Sequence, residues 1–238
     1  MDRMTTPPGS MAPIAPVAPS RRRRDTALGG SLLVAGLLIG VLAGPAAGAL
    51  GEISGDKLFW TASRLSAFLA YLAFAGSVCY GLGMASGLID AIAGRLVSFT
   101  LHQDLALAGL AFTAAHVFLL LGDAYIGFDI PSLLIPGQSP YRTLAVAVGQ
   151  VAAWAALVFA VSFYVRGVIG PRLWRSLHTL SVVVFVLATI HGLFAGSDSG
   201  LDVLWWVYVA VSLVVVFLAA YRVANRGSRR LRPERVGR

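Results

Sequence analysis

Six apolar stretches, near residues 27 to 50, 65 to 89, 98 to 121, 143 to 165, 177 to 196 and 202 to 221, limit what this chain can fold into. At about 1.5 Å per residue, each is long enough as a helix to cross roughly 30 Å of hydrocarbon. The expectation is an all-α membrane protein, a bundle of six transmembrane helices. Composition agrees: of 238 residues 57% are hydrophobic and 13% charged, and the mean hydropathy is +0.77. That balance lies outside the range of water-soluble domains. The 26 glycines suit close helix packing, since lipid gives helices no hydrophobic reason to associate and small residues let backbones approach.

The net charge of +8 is read through the positive-inside rule rather than as a sign of nucleic-acid binding. If the six spans alternate, one side carries 16 of the 19 Lys and Arg residues and the other only Lys57, Arg64 and Arg142. This predicts a multi-pass protein of the bacterial cytoplasmic membrane with both termini cytoplasmic. Residues 1–26, rich in Pro and Ala and ending in the run Arg21 to Arg24, are expected to be a disordered basic tail. Residues 27–222 are expected to form one domain and residues 223–238 a basic cytoplasmic tail. The first apolar stretch also has features of a cleaved secretory signal, with four preceding arginines and the small-residue run Gly44 to Ala49. It is longer than a typical signal core, and cleavage leaves the orientation of the other five spans unchanged.

Cys79 is the single cysteine, which excludes an intramolecular disulfide, a four-cysteine iron–sulfur cluster and a common structural zinc site. No Gly-rich phosphate loop follows a strand-like run, and no repeat of 20 to 50 residues is visible. The chemistry must lie elsewhere.

Histidine is rare at membrane depth, and an ionisable group there usually marks a functional site. All four histidines lie in apolar stretches, His102 and His116 on the third and His178 and His191 on the fifth. Both spans run in the same direction, so His102 pairs in depth with His178 near the inner face and His116 with His191 near the outer. Spacings of 14 and 13 residues separate the two levels by roughly 20 Å. One imidazole from each of two facing helices supplies both axial ligands of a six-coordinate haem iron, a site suited to one-electron transfer. Two ligands per level leave the shell of zinc or copper incomplete. The plainer alternative is that the histidines are polar residues hydrogen-bonded between helices.

One feature of the spacing fits less well. At about 100° per residue, 14 residues return within about 40° of the starting direction, whereas 13 miss by about 140°. Either the fifth helix is distorted, with Gly192 the candidate position, or two haems are staggered sideways. Gly109, midway between His102 and His116, could give haem edges room or serve ordinary helix packing.

The run Trp174-Arg175-Ser176-Leu177-His178, followed by Ile190-His191, resembles the ferric reductase-like transmembrane domain family. That family includes the ferric reductases, the NADPH oxidase membrane domain and the haem-binding subunit of the periplasmic methionine sulfoxide reductase system. The resemblance spans roughly residues 58 to 222, and the His102 to His116 spacing is similar to that of two-haem members. It implies two b-type haems, the inner held by His102 and His178 and the outer by His116 and His191. Sulfoxide reductase subunits often lack the first of these histidines, so His102 favours the two-haem type. The oxidases and eukaryotic reductases continue into a flavin and nicotinamide domain after the sixth span. Only 17 residues follow position 221 here, so a separate flavoprotein or a quinol is expected to deliver electrons on the cytoplasmic side, and an outer-face protein or small molecule to take them.

Haem propionates need cations near the membrane surface, for which Arg95, Arg172 and Arg175 are inner candidates and Arg64 and Arg142 outer ones. Arg175, one turn before His178, is best placed; the alternative role for all of them is to set topology and anchor headgroups. The long segment from Gly122 to Arg142, with Asp123, Tyr125, Asp129 and Tyr141, is expected either to fold over the outer haem or to form a docking surface. Asp104 is not expected to be a ligand. The functional expectation is a haem-containing electron-transfer subunit of a membrane reductase. Direct reduction of ferric chelates or oxygen at the outer haem is the alternative in the same chemistry. A haem-free scaffold or small transporter, its histidines lining a polar path, is the alternative of another class.

Overall fold

The computed structural model describes residues 58–89, 95–124, 126–196 and 202–230. Among them the regular elements are all helical: α1 (Leu58–Ser86), α2 (Arg95–Leu120), α3 (Ile130–Leu134), α4 (Thr143–Tyr164), α5 (Arg166–Ile169), α6 (Pro171–Leu180), α7 (Val182–Ala195) and α8 (Asp202–Arg230). Five runs are long and apolar enough to cross a membrane: Leu58–Ser86, Leu96–Leu120, Thr143–Tyr164, Pro171–Ala195 and Val203–Asn225. The expected span at 27–50, the basic tail before it, Lys57 and Tyr125 lie outside the described residues.

The helices outrun the apolar stretches that announced them. α1 begins at Leu58 rather than near 65, the fifth span at Pro171 rather than 177, and α8 continues to Arg230, past the boundary expected at 222. Backbone hydrogen bonding does not stop where hydrocarbon does, so a helix with no breaker continues into the polar interface. Pro171 opens α6 in the first turn, where its missing N–H costs nothing.

Outside faces are apolar, as in a helical membrane protein: Phe118, Val158, Trp206, Leu213 and Phe217 are exposed. The interior is small-residue packing around α1, whose buried residues include Ser63, Ser66, Ala70, Ala73, Ala75, Ser77 and Gly83. α1 packs along α2 on one side and α8 on another, and α4 packs along α7. Tyr71 joins these units, stacked on Phe185 of α7 with centroids 5.6 Å apart and tilted on Tyr208 of α8 at 4.7 Å. The two histidine-bearing spans are different. α2 is not closely packed against α6 or α7; each leans on α1 or α4 instead, and space is left between them.

The fifth span is broken at Ser181, where α6 ends and α7 begins. The Ser181 amide donates to the His178 carbonyl at 3.2 Å and the Val184 amide to the Ser181 carbonyl at 3.0 Å, both closing three-residue turns. The Ser181 hydroxyl also donates to the His178 carbonyl, at 2.7 Å. A three-residue turn advances about 120° per residue rather than 100°. Overwinding here adds rotation in the sense needed to bring His178 and His191 toward a common direction. The distortion is thus at Ser181, not near Gly192; Gly192 instead faces the Tyr208 hydroxyl of α8, where a side chain has no room.

Candidate functional site

α1 and α2 run antiparallel, so a step of 14 residues along one matches a step of 14 back along the other. Ser63 lies beside His116 and Ser77 beside His102. The His116 Nδ1 is 2.9 Å from the Ser63 carbonyl oxygen and 2.8 Å from its Oγ. The His102 Nδ1 is 2.8 Å from the Ser77 carbonyl oxygen and 3.0 Å from its Oγ. In return, each serine hydroxyl donates to the backbone carbonyl of its histidine, at 3.2 Å for Ser63 and 2.9 Å for Ser77.

A carbonyl oxygen only accepts, so Nδ1 of both rings must carry the proton and donate it. His191 on α7 does the same, its Nδ1 donating to the Ala145 carbonyl of α4 at 2.8 Å. For these three histidines Nε2 is therefore the nitrogen with the free lone pair. His178 is held by stacking: Trp174, one turn earlier, lies nearly parallel over it with centroids 5.1 Å apart, and Phe163 of α4 meets Trp174 edge-on at 6.2 Å.

Across the gap the rings face each other in pairs. His102 and His178 have centroids 5.7 Å apart with planes at 87°, and His116 and His191 have centroids 6.4 Å apart with planes at 67°. The second pair lines a cavity of about 1050 Å³, together with Ser63, Arg64, Tyr71, Phe74, Gln150 and Tyr208. Two glycines make the close approach possible. Gly149 on α4 lies directly against the His191 ring, and a Cβ there would overlap it; a Cβ on Gly81 would come within 3.1 Å of His102. No group of three or more His, Cys, Asp or Glu that could hold a metal ion occurs among the described residues.

The other expected residues separate. Arg64 is half-buried, lines the cavity and places its guanidinium 5.6 Å from the Trp60 ring centre. Arg142 is exposed and turned to α7: its guanidinium donates to the Phe194 carbonyl at 2.7 Å and the Gly196 carbonyl at 3.4 Å, closing the C-terminal end of that helix. Arg142 also has φ of 39°, an uncommon value for a non-glycine that this capping contact helps hold. Arg172 and Arg175 are exposed on α6, and Arg95 opens α2. Asp104 is half-buried on α2. Gly109 faces the Phe74 ring of α1, which leaves no room for a Cβ, a close helix contact.

The segment after α2 folds inward over the cavity, with Phe128, Ile130, Leu133 and Tyr141 among its lining residues. It is stitched to α4 by Gln150, whose Nε2 donates to the Ser132 carbonyl at 2.7 Å, and by Trp154, whose indole donates to the Leu134 carbonyl at 2.9 Å. Tyr141 reaches across to the Ala195 carbonyl at 3.2 Å. Asp123 is buried and accepts from the Ile126 amide at 3.1 Å. Asp129 caps α3, accepting from the Ser132 amide at 2.9 Å while the Ser132 hydroxyl accepts from the Asp129 amide at 3.0 Å. The Ser132 side chain and amide hold the Asp129 carboxyl below its ordinary range. A depressed carboxyl contributes its stabilisation above the unfolded value and loses it as pH falls through the folded one. Asp129→Ala, or acidification below the usual carboxylate range, is therefore expected to lower the protection of the Ser132 amide against hydrogen exchange, measured against its intrinsic rate at the same pH, with Asp129→Asn intermediate; unchanged protection in the alanine variant would mean that the cap does not hold this segment.

Sequence reasoning found the histidines and missed the two serines. A signal for them was present, since Ser63 and Ser77 repeat the 14-residue interval of His102 and His116. Two buried polar atoms have no partner among the described residues: Gln150 Oε1, on a residue lining the cavity, and Trp174 Nε1, beside His178. No family model, curated protein or solved structure matches this chain.

Proposed function

We propose that this chain binds two b-type haems between its histidine spans and carries single electrons across the bilayer, as the membrane subunit of a reductase. The observation that supports it best is the pair of ring separations. Two metal–imidazole bonds of about 2 Å, each extended by roughly 1 Å from nitrogen to ring centre, put the centroids of a bis-imidazole iron about 6 Å apart. The separations here are 5.7 and 6.4 Å. Three further features favour the fit. Nδ1 protonation of His102, His116 and His191 leaves their Nε2 to ligate; the outer cavity, at about 1050 Å³, reaches the upper end of ordinary cofactor sites; and the unspent Trp174 N–H suits an anionic propionate.

Haem bound there would supply a ferric–ferrous couple. The protein's part is to orient the four imidazoles, exclude water with aromatic and aliphatic walls, and place Arg64 where it can neutralise negative charge at the outer level. By the distribution of Lys and Arg, His102 and His178 lie toward the cytoplasm, where a flavoprotein or quinol would donate. His116 and His191 lie toward the outer face, where an acceptor would be reduced. A dithionite-reduced minus oxidised spectrum of membranes containing the protein is expected to show a reduced b-type band, with two haems per chain in the purified protein. If the band is missing, the reading is lost, and a haem-free scaffold or transporter takes its place.

A further inference from the structure

We propose that Ser63 and Ser77 are the positioning residues of the two levels, each orienting one histidine across the α1–α2 interface and setting the reduction potential of the iron at its own level only. The inference rests on the haem reading and adds to it what adjusts each site.

The same reciprocal exchange occurs twice. Each histidine ring gives its Nδ1–H to a serine carbonyl, with that serine's Oγ at 2.8 Å for Ser63 and 3.0 Å for Ser77, close enough to share the proton. The hydroxyl hydrogen is spent on the histidine's own backbone carbonyl, so Oγ presents a lone pair, not a hydrogen, to Nδ1. The ring is thereby fixed as the Nε2-ligating tautomer. Its orientation is tied to two backbones, and electron density is pushed toward Nε2. Both serines are buried, Ser63 completely and Ser77 with 5% exposed, so these bonds face little competition from water.

A hydrogen-bond acceptor on the far nitrogen makes an imidazole a stronger donor to metal, and the more highly charged ferric iron gains most. Each serine should therefore favour the ferric state of its own iron. The two contacts are 14 residues apart along α1, roughly 20 Å at helical rise, so the effects should be separate.

The test is a potentiometric titration of the purified, haem-loaded protein and its Ser63→Ala and Ser77→Ala variants, followed in the b-type band. Ser63→Ala is expected to raise one midpoint potential and Ser77→Ala the other. Each shift should correspond to about a tenfold change in the ferric-to-ferrous preference, about 59 mV for one electron. The double variant should show both shifts, and Ser86→Ala, at a buried serine of α1 that donates to the Gly83 carbonyl of its own helix, should show neither. If a variant instead loses one haem while the other keeps its potential, the level-specific role is again supported. The proposal is overturned if both haems load and neither potential moves, or if either substitution moves both equally. A wild-type protein without haem would overturn the underlying reading instead, so the two failures can be told apart.

Discussion

If the proposed haems are present, replacing His116 with alanine is expected to remove the outer one and leave the inner, so that the purified protein carries one haem where two are proposed for the wild type. His116 is proposed as one of only two protein ligands at its level, and its ring is 6.4 Å from His191, with no third candidate ligand among the described residues. Losing it leaves a single imidazole, which cannot hold a low-spin six-coordinate iron. His102 is roughly 20 Å away along α2 and keeps its own contacts to Ser77 and His178. Haem content from the pyridine haemochrome, with the low-temperature reduced band to tell the sites apart, measures the outcome. His102→Ala should remove the other haem. Retention of both haems in His116→Ala would refute the ligand assignment, and loss of both would refute the independence of the levels.

Gly149→Val is expected to remove the outer haem although position 149 supplies no ligand. The first side-chain atom would overlap Nδ1, Cγ and Cε1 of His191, so the ring has to move. Moving it breaks the 2.8 Å bond from Nδ1 to the Ala145 carbonyl and opens the separation from His116. Disturbing such a supporting contact typically costs about 10- to 100-fold in metal affinity, and direct displacement of the ligand should cost at least that. Overpacking alone is expected to cost about 1–3 kcal/mol, so the variant should still fold and keep the inner haem. Gly167→Val serves as the control, because a Cβ there meets nothing. Full outer occupancy in Gly149→Val, measured by the same haem assay, would mean that His191 does not need its present position.

Both substitutions separate what patterning carries from what packing carries. Apolar runs, charge asymmetry and the confinement of four histidines to two spans are local properties, legible wherever a residue's own character determines its surroundings. They led to the helices, and to the idea that the histidines work in pairs. Ser63 and Ser77 could not be singled out in the same way, because serine is common in membrane helices and becomes informative only once α1 and α2 are known to be antiparallel and in register. The same holds for Gly149, whose role comes from a helix 42 residues away in the chain at His191.

The angular mismatch of His178 and His191 followed from their 13-residue spacing, and its location did not. Gly192 was the natural suspect because glycine weakens a helix, yet the break is at Ser181, whose hydroxyl competes for the His178 carbonyl. Arg142 likewise had the right charge and position for an anionic partner, and the chain turns it instead to the open carbonyls ending α7. What this sequence determined alone was a set of apolar helices and the two that carry imidazoles, since hydropathy and helical rise act residue by residue. Which nitrogen is free on His102, His116 and His191, how far apart the rings lie, and which small residues make room for them depend on contacts between distant segments, and only the tertiary structure decided those.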